Sequence, residues 1–392
     1  MTIAMLVINP FTHDTRVQKE AKALAHAGYD VTVYALHKPG LPTTETRDGY
    51  HIVRIAIRPH QWRINALRLL LRYLEFCLCV IHQLRRQQPI IIHAHDVNAL
   101  IPAFLAARRT HASLIYDAHE LWAERRAVLL QSTTLRRLLK AVEGLLARRA
   151  AAVITVNPSI AELLQQQYRL STCPTVLMHC QEFANPTHND ILRQEFDIPP
   201  DQRIVIYPGL FTTGRGLEQL IAAAPYLDHA VIVLMGRDAL NGQLQAQITT
   251  QGLERRVFVR QPVPPEEVLH YVASADIGVM PTQSIDLSYH YGAGNKLFHY
   301  MMAGIPAAVS DQPEKRRIVE TYQIGAVFDQ TDPQDIARVI NKLLNDPETY
   351  AAISQRARQL ARNQFNWQIE SQKLLALYQQ LIAPLNQEAS HA

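Results

Sequence analysis

The chain has little cysteine and no long apolar run, and both absences narrow the class of protein. Its 392 residues include four cysteines, with no CxxC pair or zinc-type cluster, which argues against a disulfide framework or a zinc finger. The most apolar stretch, residues 69–81, is too short to cross a bilayer and contains Arg72 and Glu75. Basic residues interleaved with stacking aromatics are also lacking, so nucleic-acid binding is not expected. The first residues lack a basic n-region and a cleavage pattern, and we expect a cytoplasmic protein.

The composition is that of a folded protein with an uneven distribution of charge. Hydrophobic residues make up 48% of the chain and charged residues 19%, and the length favours two domains. Residues 1–170 contain 22 Lys and Arg against 12 Asp and Glu, whereas the remainder contains 17 against 23. The basic first half suggests an anionic partner, such as a membrane surface or a phosphate-bearing acceptor.

Ten short runs rich in Ile and Val alternate with helical patterns, and their continuous apolarity is typical of strands buried on both faces. They span residues 4–8, 31–35, 90–93, 114–116 and 152–156, then 204–207, 230–235, 257–259, 277–280 and 307–309. This rhythm predicts two parallel, doubly wound units. The turn-rich segment 178–203 is the predicted linker, and a last helix is predicted over residues 367–381.

Two segments of the second half resemble phosphate-binding elements. Lys296 begins a predicted helix that leads into a buried strand ending at Ser310, so the helix start should lie beside the carboxyl end of a strand. Earlier, Gly209, Gly214 and Gly216 surround Arg215 in a turn between a strand and a helix, where a guanidinium can donate to a diphosphate. The alternative for this turn is plain helix capping, and for Lys296 a solvated surface position.

Polar side chains also follow the predicted strands of the first half. His95 and Asp96 end one strand, and His119 and Glu120 follow the next, which predicts that they line a crevice at the sheet edge. A structural histidine that caps the strand is the competing interpretation of His119. His93 and His95 share a face, but a third ligand at convincing spacing is lacking, so no metal site is predicted.

The first predicted helix begins after the loop that carries Asn9 and His13. Asp14 is the predicted cap of this helix, and Arg16 lies in its first turn. Asn9, His13 and Arg16 either face the same crevice or belong to an ordinary loop and helix surface.

Two helical patterns, residues 62–86 and 134–149, combine leucines with a fringe of arginines. Peripheral membrane contact would use such a pattern, and helices that cover a parallel sheet would show nearly the same stripe. The sequence leaves both interpretations open.

Several of these motifs, in this order, resemble the retaining glycosyltransferases of family 4. The matching runs are DTRV from Asp14, HAHD from His93, YDAHELW from Tyr116, GRGLEQLI from Gly214, and NKLF from Asn295 followed by MMAGIP from Met301. The resemblance implies an α/β protein of the GT-B class, with two Rossmann-like doubly wound domains facing across a cleft. The expected domains are residues 1–183 for the acceptor and 184–365 for the nucleotide sugar, with a helix over 366–392 that packs back on the first.

The resemblance also implies a role for each motif residue. His119, Arg215 and Lys296 are the expected catalytic residues. The residues expected to bind the donor, a UDP- or GDP-sugar, are Gly209, Gly214, Arg215, Gly216, Val263, Asn295, Lys296, Leu297 and His299. The residues expected on the acceptor side are Asn9, His13, Arg16, His95, Asp96 and Glu120. The acceptor would be a saccharide, a lipid-linked molecule or a small molecule, and neither a metal nor a further cofactor is expected.

Three positions depart from the pattern of that family. Leu210 replaces a phosphate-binding Arg, while His299 and Tyr291 replace a pair of glutamates, one of which binds the ribose. An imidazole cannot accept hydrogen bonds from both ribose hydroxyls as a carboxylate does. Two alternatives therefore stand beside a transferase: a catalytically silent nucleotide-binding subunit, and a sugar-nucleotide epimerase or hydrolase on the same fold.

Overall fold

A computed structural model describes residues 1–57, 66–124 and 132–390. The chain divides into two units, which are described separately. The first unit contains Met1–Met178 together with the chain from Glu370 onward, and the second contains His179–Ile369. The sequence placed these divisions at 183/184 and 365/366, within a few residues of the observed ones.

The first unit is built on an eight-stranded sheet. Its strands are β1 (Thr2–Leu6), β2 (Asp30–Leu36), β3 (Thr44–Arg47), β4 (Tyr50–Ile55), β5 (Ile91–His95), β6 (Ser113–Ala118), β7 (Ala152–Thr155) and β8 (Thr175–Val176). The order across the sheet is β3-β4-β2-β1-β5-β6-β7-β8, and every pair is parallel except β3 with β4. The winding direction reverses between β1 and β5, so the loops after these strands open a crevice there.

The helices of the first unit occupy the crossovers between its strands. They are α1 (Thr15–His26), α2 (Ala66–Gln87), α3 (Asp96–Thr110), α4 (Thr133–Ala147) and α5 (Pro158–Tyr168). A short 3₁₀ turn spans Trp122–Glu124. As predicted, Asp14 caps α1, because its carboxylate accepts a hydrogen bond from the N–H of Val17.

The second unit is built on a six-stranded, fully parallel sheet. Its strands are β9 (Arg203–Pro208), β10 (Ala230–Met235), β11 (Val257–Arg260), β12 (Ile277–Met280), β13 (Ala307–Ser310) and β14 (Gly325–Phe328). The order is β11-β10-β9-β12-β13-β14, which places the reversal of winding between β9 and β12. The hydrophobic core lies between this sheet and helices that include Leu217–Ala223 and Pro333–Leu344, with Val205, Leu220 and Ile340 fully buried in it.

The first helix of the second unit precedes its sheet, and the others come between or after its strands. They are α6 (Ile191–Glu195), α7 (Leu217–Ala223), α8 (Gln243–Thr250), α9 (Val268–Val272), α10 (Leu287–Tyr291), α11 (Lys296–Ala303), α12 (Pro313–Tyr322), α13 (Pro333–Leu344) and α14 (Pro347–Asn363). The last helix, α15 (Trp367–Ser390), begins in the second unit and continues into the first. In the described part of the chain, no helix has both the length and the apolarity needed to cross a bilayer.

The ten strands predicted from sequence are confirmed, as β1, β2, β5, β6 and β7 in the first unit and β9 to β13 in the second. Sequence analysis missed β3, β4, β8 and β14. The edge strand β3 consists of polar residues, including the exposed Thr44 and Thr46, and β8 is two residues long. Neither has the continuous apolar run of a strand covered on both faces.

The last helix is joined to the first sheet by a buried hydrogen bond. The hydroxyl of Tyr378 lies 2.9 Å from Nδ1 of His93 in β5, and both side chains are fully buried. Glu370, at the start of the same segment, accepts a hydrogen bond from the N–H of Met178. The end of the chain is thus an integral part of the first unit.

We expect Tyr378→Phe to lower the free energy of unfolding by roughly 1 to 3 kcal/mol, because it leaves a buried polar atom of His93 without a partner. Urea unfolding followed by circular dichroism measures this loss. Tyr226→Phe, at a half-exposed position, is the matched control and should be nearly neutral. Equal unfolding midpoints for the two variants would show that this bond does not hold the helix.

Candidate active site

The second unit brings three connections together at the point where its winding reverses. The turn after β9 carries Gly209 to Gly216, the segment after β12 leads into α10 and α11, and the segment after β13 opens α12. Because all these strands are parallel, their carboxyl ends lie at one edge of the sheet. The sequence motifs of the second half therefore meet at this edge.

A cavity of about 450 Å³ opens at this edge of the second unit. Its lining includes Gly209, Leu210, Arg237, Val263, Asn295, Lys296 and His299. This volume falls within the range of small-molecule and cofactor sites. Five of these residues were predicted to bind the donor. Arg237, which follows β10, was missed, although its place at the end of a predicted strand could have marked it.

Lys296 is held against the backbone of Gly209. Its Nζ lies 4.5 Å from the centre of the Tyr207 ring, which favours a cation. A Cβ on Gly209 would stand 2.8 Å from Cε and 3.0 Å from Nζ of Lys296, and the φ of +144° is one that side chains rarely adopt. Glycine at this position lets the ammonium lie directly beside the turn.

Arg215 lies in the same turn, and none of the residues that the structure describes pairs a carboxylate with it. Its guanidinium carbon is 5.0 Å from the centre of the Tyr289 ring, and its Nε is buried without a hydrogen-bond acceptor. A buried donor without an acceptor is costly to the folded protein. The site therefore holds a hydrogen-bond donor that an anionic ligand could satisfy.

Lys315, in the first turn of α12, is a third cation of this site and was missed by sequence analysis. It is 1% exposed and donates to the side-chain oxygen of Gln312, a neutral partner that does not cancel its charge. Burial and then repulsion from Arg215 lower the pKa of Lys315 to about 7. Burial, followed by repulsion from Arg215 and Lys315, likewise lowers the pKa of Lys296 to about 7.

No ion pair joins a carboxylate to Arg215, Lys296 or Lys315 in the described parts of the chain, residues 1–57, 66–124 and 132–390. The nearby carboxylates of α12 and its approach are engaged elsewhere, because Asp311 pairs with Arg316 and Glu314 with Arg317. Lys315 is buried, while Arg215 and Lys296 are partly exposed. Three neighbouring cations to which the described residues supply no counter-charge form an anion-binding arrangement.

The remaining residues predicted to bind the donor have different surroundings. Gly216 begins α7 with φ +69°, and a Cβ there would lie 1.8 Å from the carbonyl oxygen of Pro281, so it sets the packing of the turn. Gly214 packs against Ile285 in the same way. Leu297 was predicted as a donor contact, but it is fully buried in the core and its N–H donates to the carbonyl of Gly294.

Asn295 and His299 flank Lys296 at the cavity wall. Asn295 makes a side-chain hydrogen bond of 3.1 Å with His179, and His299 lies one turn further along α11. Tyr291 ends α10 with its ring edge-on to His290.

In the first unit, the strand ends hold a network of buried charges that are paired with one another. Arg16 donates to both carboxylate oxygens of Asp117, at 2.9 and 3.0 Å, to the carbonyl of Leu177, and lies 3.1 Å from Glu20. Arg16 was predicted on the acceptor side, but at 4% exposure its guanidinium ties α1 to the end of β6. Burial opposes the charge of Asp117, yet Arg16 and His119 outweigh it and hold the pKa of this carboxyl well below its usual range.

His119 is the most accessible imidazole of this network. Its Nε2 lies 3.1 Å from Asp117 and 3.2 Å from Nδ1 of His95, and its backbone N–H donates to the carboxylate of Asp96. Burial disfavours the imidazolium, but Asp96 and Asp117 prevail and raise the pKa of His119 to about 9. Asp96 has a φ of +64°, an uncommon backbone conformation that turns α3 away directly after β5.

Four buried side chains of this network, Glu20, His93, His95 and Asp117, bring ligand atoms within 4.8 Å of one another. These donor types suit a transition metal. However, Arg16 contacts both carboxylates, and its fixed charge repels a second cation at the same place. The cluster is better described as an ion-pair network.

Asn9 and His13 belong to the loop between β1 and α1. Asn9 donates to Asp14 at 2.8 Å and accepts from the N–H of Phe11, so its side chain braces the loop. His13 is exposed, and Glu120 is partly buried just after His119.

Comparisons with known proteins cover nearly the whole chain. The model of the Glycosyl transferases group 1 family matches residues 188–360, and that of the Glycosyl transferase 4-like domain matches residues 13–176. The 2-deoxystreptamine glucosyltransferase of Streptomyces kanamyceticus is 24% identical and aligns with 94% of this chain and 98% of its own length.

Two solved structures are similar in fold. Sucrose-phosphate synthase from Thermosynechococcus elongatus has a TM-score of 0.82 at 19% identity, over 98% of this chain and 100% of that one. HepE of Anabaena, solved in complex with UDP-glucose, has a TM-score of 0.73 at 18% identity, over 96% and 99%. The predicted fold class is confirmed as GT-B, with two Rossmann-like units.

We expect the imidazole of His119 to titrate near pH 9 in NMR spectra, and Asp96→Asn to lower its pKa by removing a raising charge. Because the folded state favours the protonated form, the stability contributed by His119 is complete below about pH 6.5 and is lost as pH rises through about 9. Identical His119 titrations in both proteins would contradict the role of Asp96.

Proposed function

The chain belongs to the glycosyltransferases of the family 4 type, and we propose that it is a retaining enzyme that uses a nucleoside diphosphate sugar. The observation that carries this proposal is the group of Arg215, Lys296 and Lys315, whose charges repel one another and of which Lys296 lines the cavity of the second unit. A diphosphate supplies the negative charge that this group lacks. Each charge-assisted hydrogen bond to it contributes roughly 1.5 to 3 kcal/mol.

The transfer step requires only that the leaving diphosphate be stabilised. The oxygen of an acceptor hydroxyl bonds to the anomeric carbon on the face from which the diphosphate departs, and the bond from that carbon to the diphosphate oxygen breaks. The departing oxygen takes the hydroxyl proton, so the products are the glycoside and the nucleoside diphosphate. The three cations supply the positive charge at the leaving group, without a catalytic metal or a further cofactor.

We assign the acceptor side to the first unit, around His119. The protonated imidazole is held by Asp96 and Asp117 and is the best placed group of its network to contact a sugar hydroxyl. Arg16 acts as a positioning residue there, because it fixes the carboxylate of Asp117 that orients His119. The four cysteines are free thiols, which supports a reducing compartment such as the cytoplasm.

A catalytically silent nucleotide-binding protein is the second candidate, favoured by His299. This imidazole lines the cavity where the resembling family has a ribose-binding glutamate. It can still form one hydrogen bond as donor and one as acceptor. In this case UDP or GDP would bind without turnover of any donor.

Arg215→Ala and Lys315→Met should each lower the rate of transfer by roughly 10²- to 10³-fold, the usual effect of removing one preorganised charge from a leaving group. Release of UDP or GDP from a panel of nucleotide sugars, with and without saccharide and lipid-linked acceptors, measures the rate. Thermal unfolding should not be lowered by Lys315→Met, because a buried cation without a counter-charge destabilises the fold.

Lys342→Met, on the exposed face of α13, is the control and should retain full activity. Release that needs no acceptor would indicate a hydrolase, and nucleotide binding without release would indicate the silent protein. Full activity of both Arg215→Ala and Lys315→Met would contradict the proposed role of the cations.

Binding of a nucleoside diphosphate should be coupled to proton uptake. Lys296 and Lys315 have pKa values of about 7 in this structure, and a bound diphosphate favours their charged forms. Affinity should therefore fall as pH rises above about 7, and less steeply in Lys315→Met. Calorimetry with UDP and GDP near pH 8, in buffers of different ionisation enthalpy, counts the protons; equal heats in all buffers would exclude this coupling.

A further inference from the structure

The outer face of α2 consists of leucines where a surface helix normally has polar residues. Leu78 is 71% exposed, and Leu71 and Leu74 on the same face are 40% and 47% exposed. Their spacings of three and four residues place them in one row along the helix. On the opposite face, Phe76 and Val80 are buried against the sheet layer. This part of α2 is thus apolar both toward the core and toward solvent.

The leucine surface extends over the two neighbouring helices. The crossovers from β4 to β5, β5 to β6 and β6 to β7 all advance in the same direction across the sheet, so right-handed connections place α2, α3 and α4 on one face. The middle helix, α3, packs against both others. Leu105 of α3 and Leu138 and Leu145 of α4 are also exposed. We call the outward side of α2, α3 and α4 the leucine–arginine face.

The fully exposed charges on this face are of one sign. Exposed arginines on or next to the three helices include Arg85, Arg86, Arg108, Arg109, Arg137 and Arg149. Of the carboxylates in the described residues of these helices, Glu143 is buried against Tyr116 and Asp96 is engaged with His119, while Glu75, in the row of Leu71 and Leu78, is partly buried. Leucines and arginines therefore face solvent together, with no exposed acid among the described residues between them.

We propose that the leucine–arginine face docks on the surface of an anionic lipid bilayer. A helix that lies in the interface inserts its apolar side chains at the boundary of the acyl chains, while arginines next to them contact lipid phosphates. A second copy of this chain fits less well, because a symmetric contact would set arginine against arginine. This inference does not depend on the identity of the donor or the acceptor.

The test is flotation of the full-length protein with two kinds of vesicle, phosphatidylcholine alone and phosphatidylcholine mixed with phosphatidylglycerol. The unsubstituted protein should float with the anionic vesicles and be released by high salt, because exposed charge pairs are screened. The double substitution Leu74→Ser with Leu78→Ser should reduce partitioning about tenfold or more, since it removes inserted apolar area. Arg85→Gln with Arg86→Gln should reduce partitioning and weaken its salt dependence.

Matched controls come from outside this face. Ile369→Ser removes an exposed apolar side chain, and Arg255→Gln removes an exposed charge, both in the second unit. Neither should change flotation, and thermal unfolding should show that the leucine variant remains folded. The proposal is overturned if the protein does not bind anionic vesicles, or if the leucine variant floats as well as the controls. It is also overturned if light scattering shows a dimer that this variant dissociates and no vesicle binding occurs.

Discussion

Burial of positive charge without a partner is the constraint that governs the second unit. Lys315 is nearly inaccessible to solvent, and Lys296 lies against the glycine turn, yet the charged groups that act on them are each other and Arg215. Desolvation of like charges costs free energy that the fold must offset through its core. The strand ends of the parallel sheet and the first turns of α11 and α12 hold the two lysines in place despite this cost. Such a site is poised for an anion, since binding relieves a repulsion already present.

At the corresponding edge of its sheet, the first unit has buried charges that are paired with one another. Arg16 and Asp117 are buried and neutralise each other, and His119 completes the network at its more accessible end. A neutralised network can hold one imidazole in a defined orientation and protonation state without attracting a strong anion. The two units thus share an architecture and differ in chemistry: one edge carries unpaired cations and the other a network of paired charges.

Much of this arrangement could be predicted from sequence, because the strand runs are continuous and parallel strands direct their carboxyl ends to one edge. Gly209, Lys296 and His299 follow from the motif order and this rule. Lys315 could not be recognised, since it stands in the run PEKRR, whose charges are typical of a solvated helix face, and only the packing of α12 buries it. The ion pair of Arg16 joins residues 101 apart in the chain, a separation that no local pattern reports. Leu297 was assigned to the donor because it stands in the NKLF motif beside Lys296. Adjacent residues of a helix point in different directions, and only the structure shows that Leu297 points into the core.

The position of the last helix has a consequence for biosynthesis. Its residues from Glu370 onward complete the first unit, although they leave the ribosome after the whole second unit. During translation, residues 1–178 are therefore made before Tyr378, the buried partner of His93. The second unit can fold on its own contacts before that partner is made. The emergence of α15, rather than that of residues 1–178, is the event that lets the earlier-made unit reach its final stability.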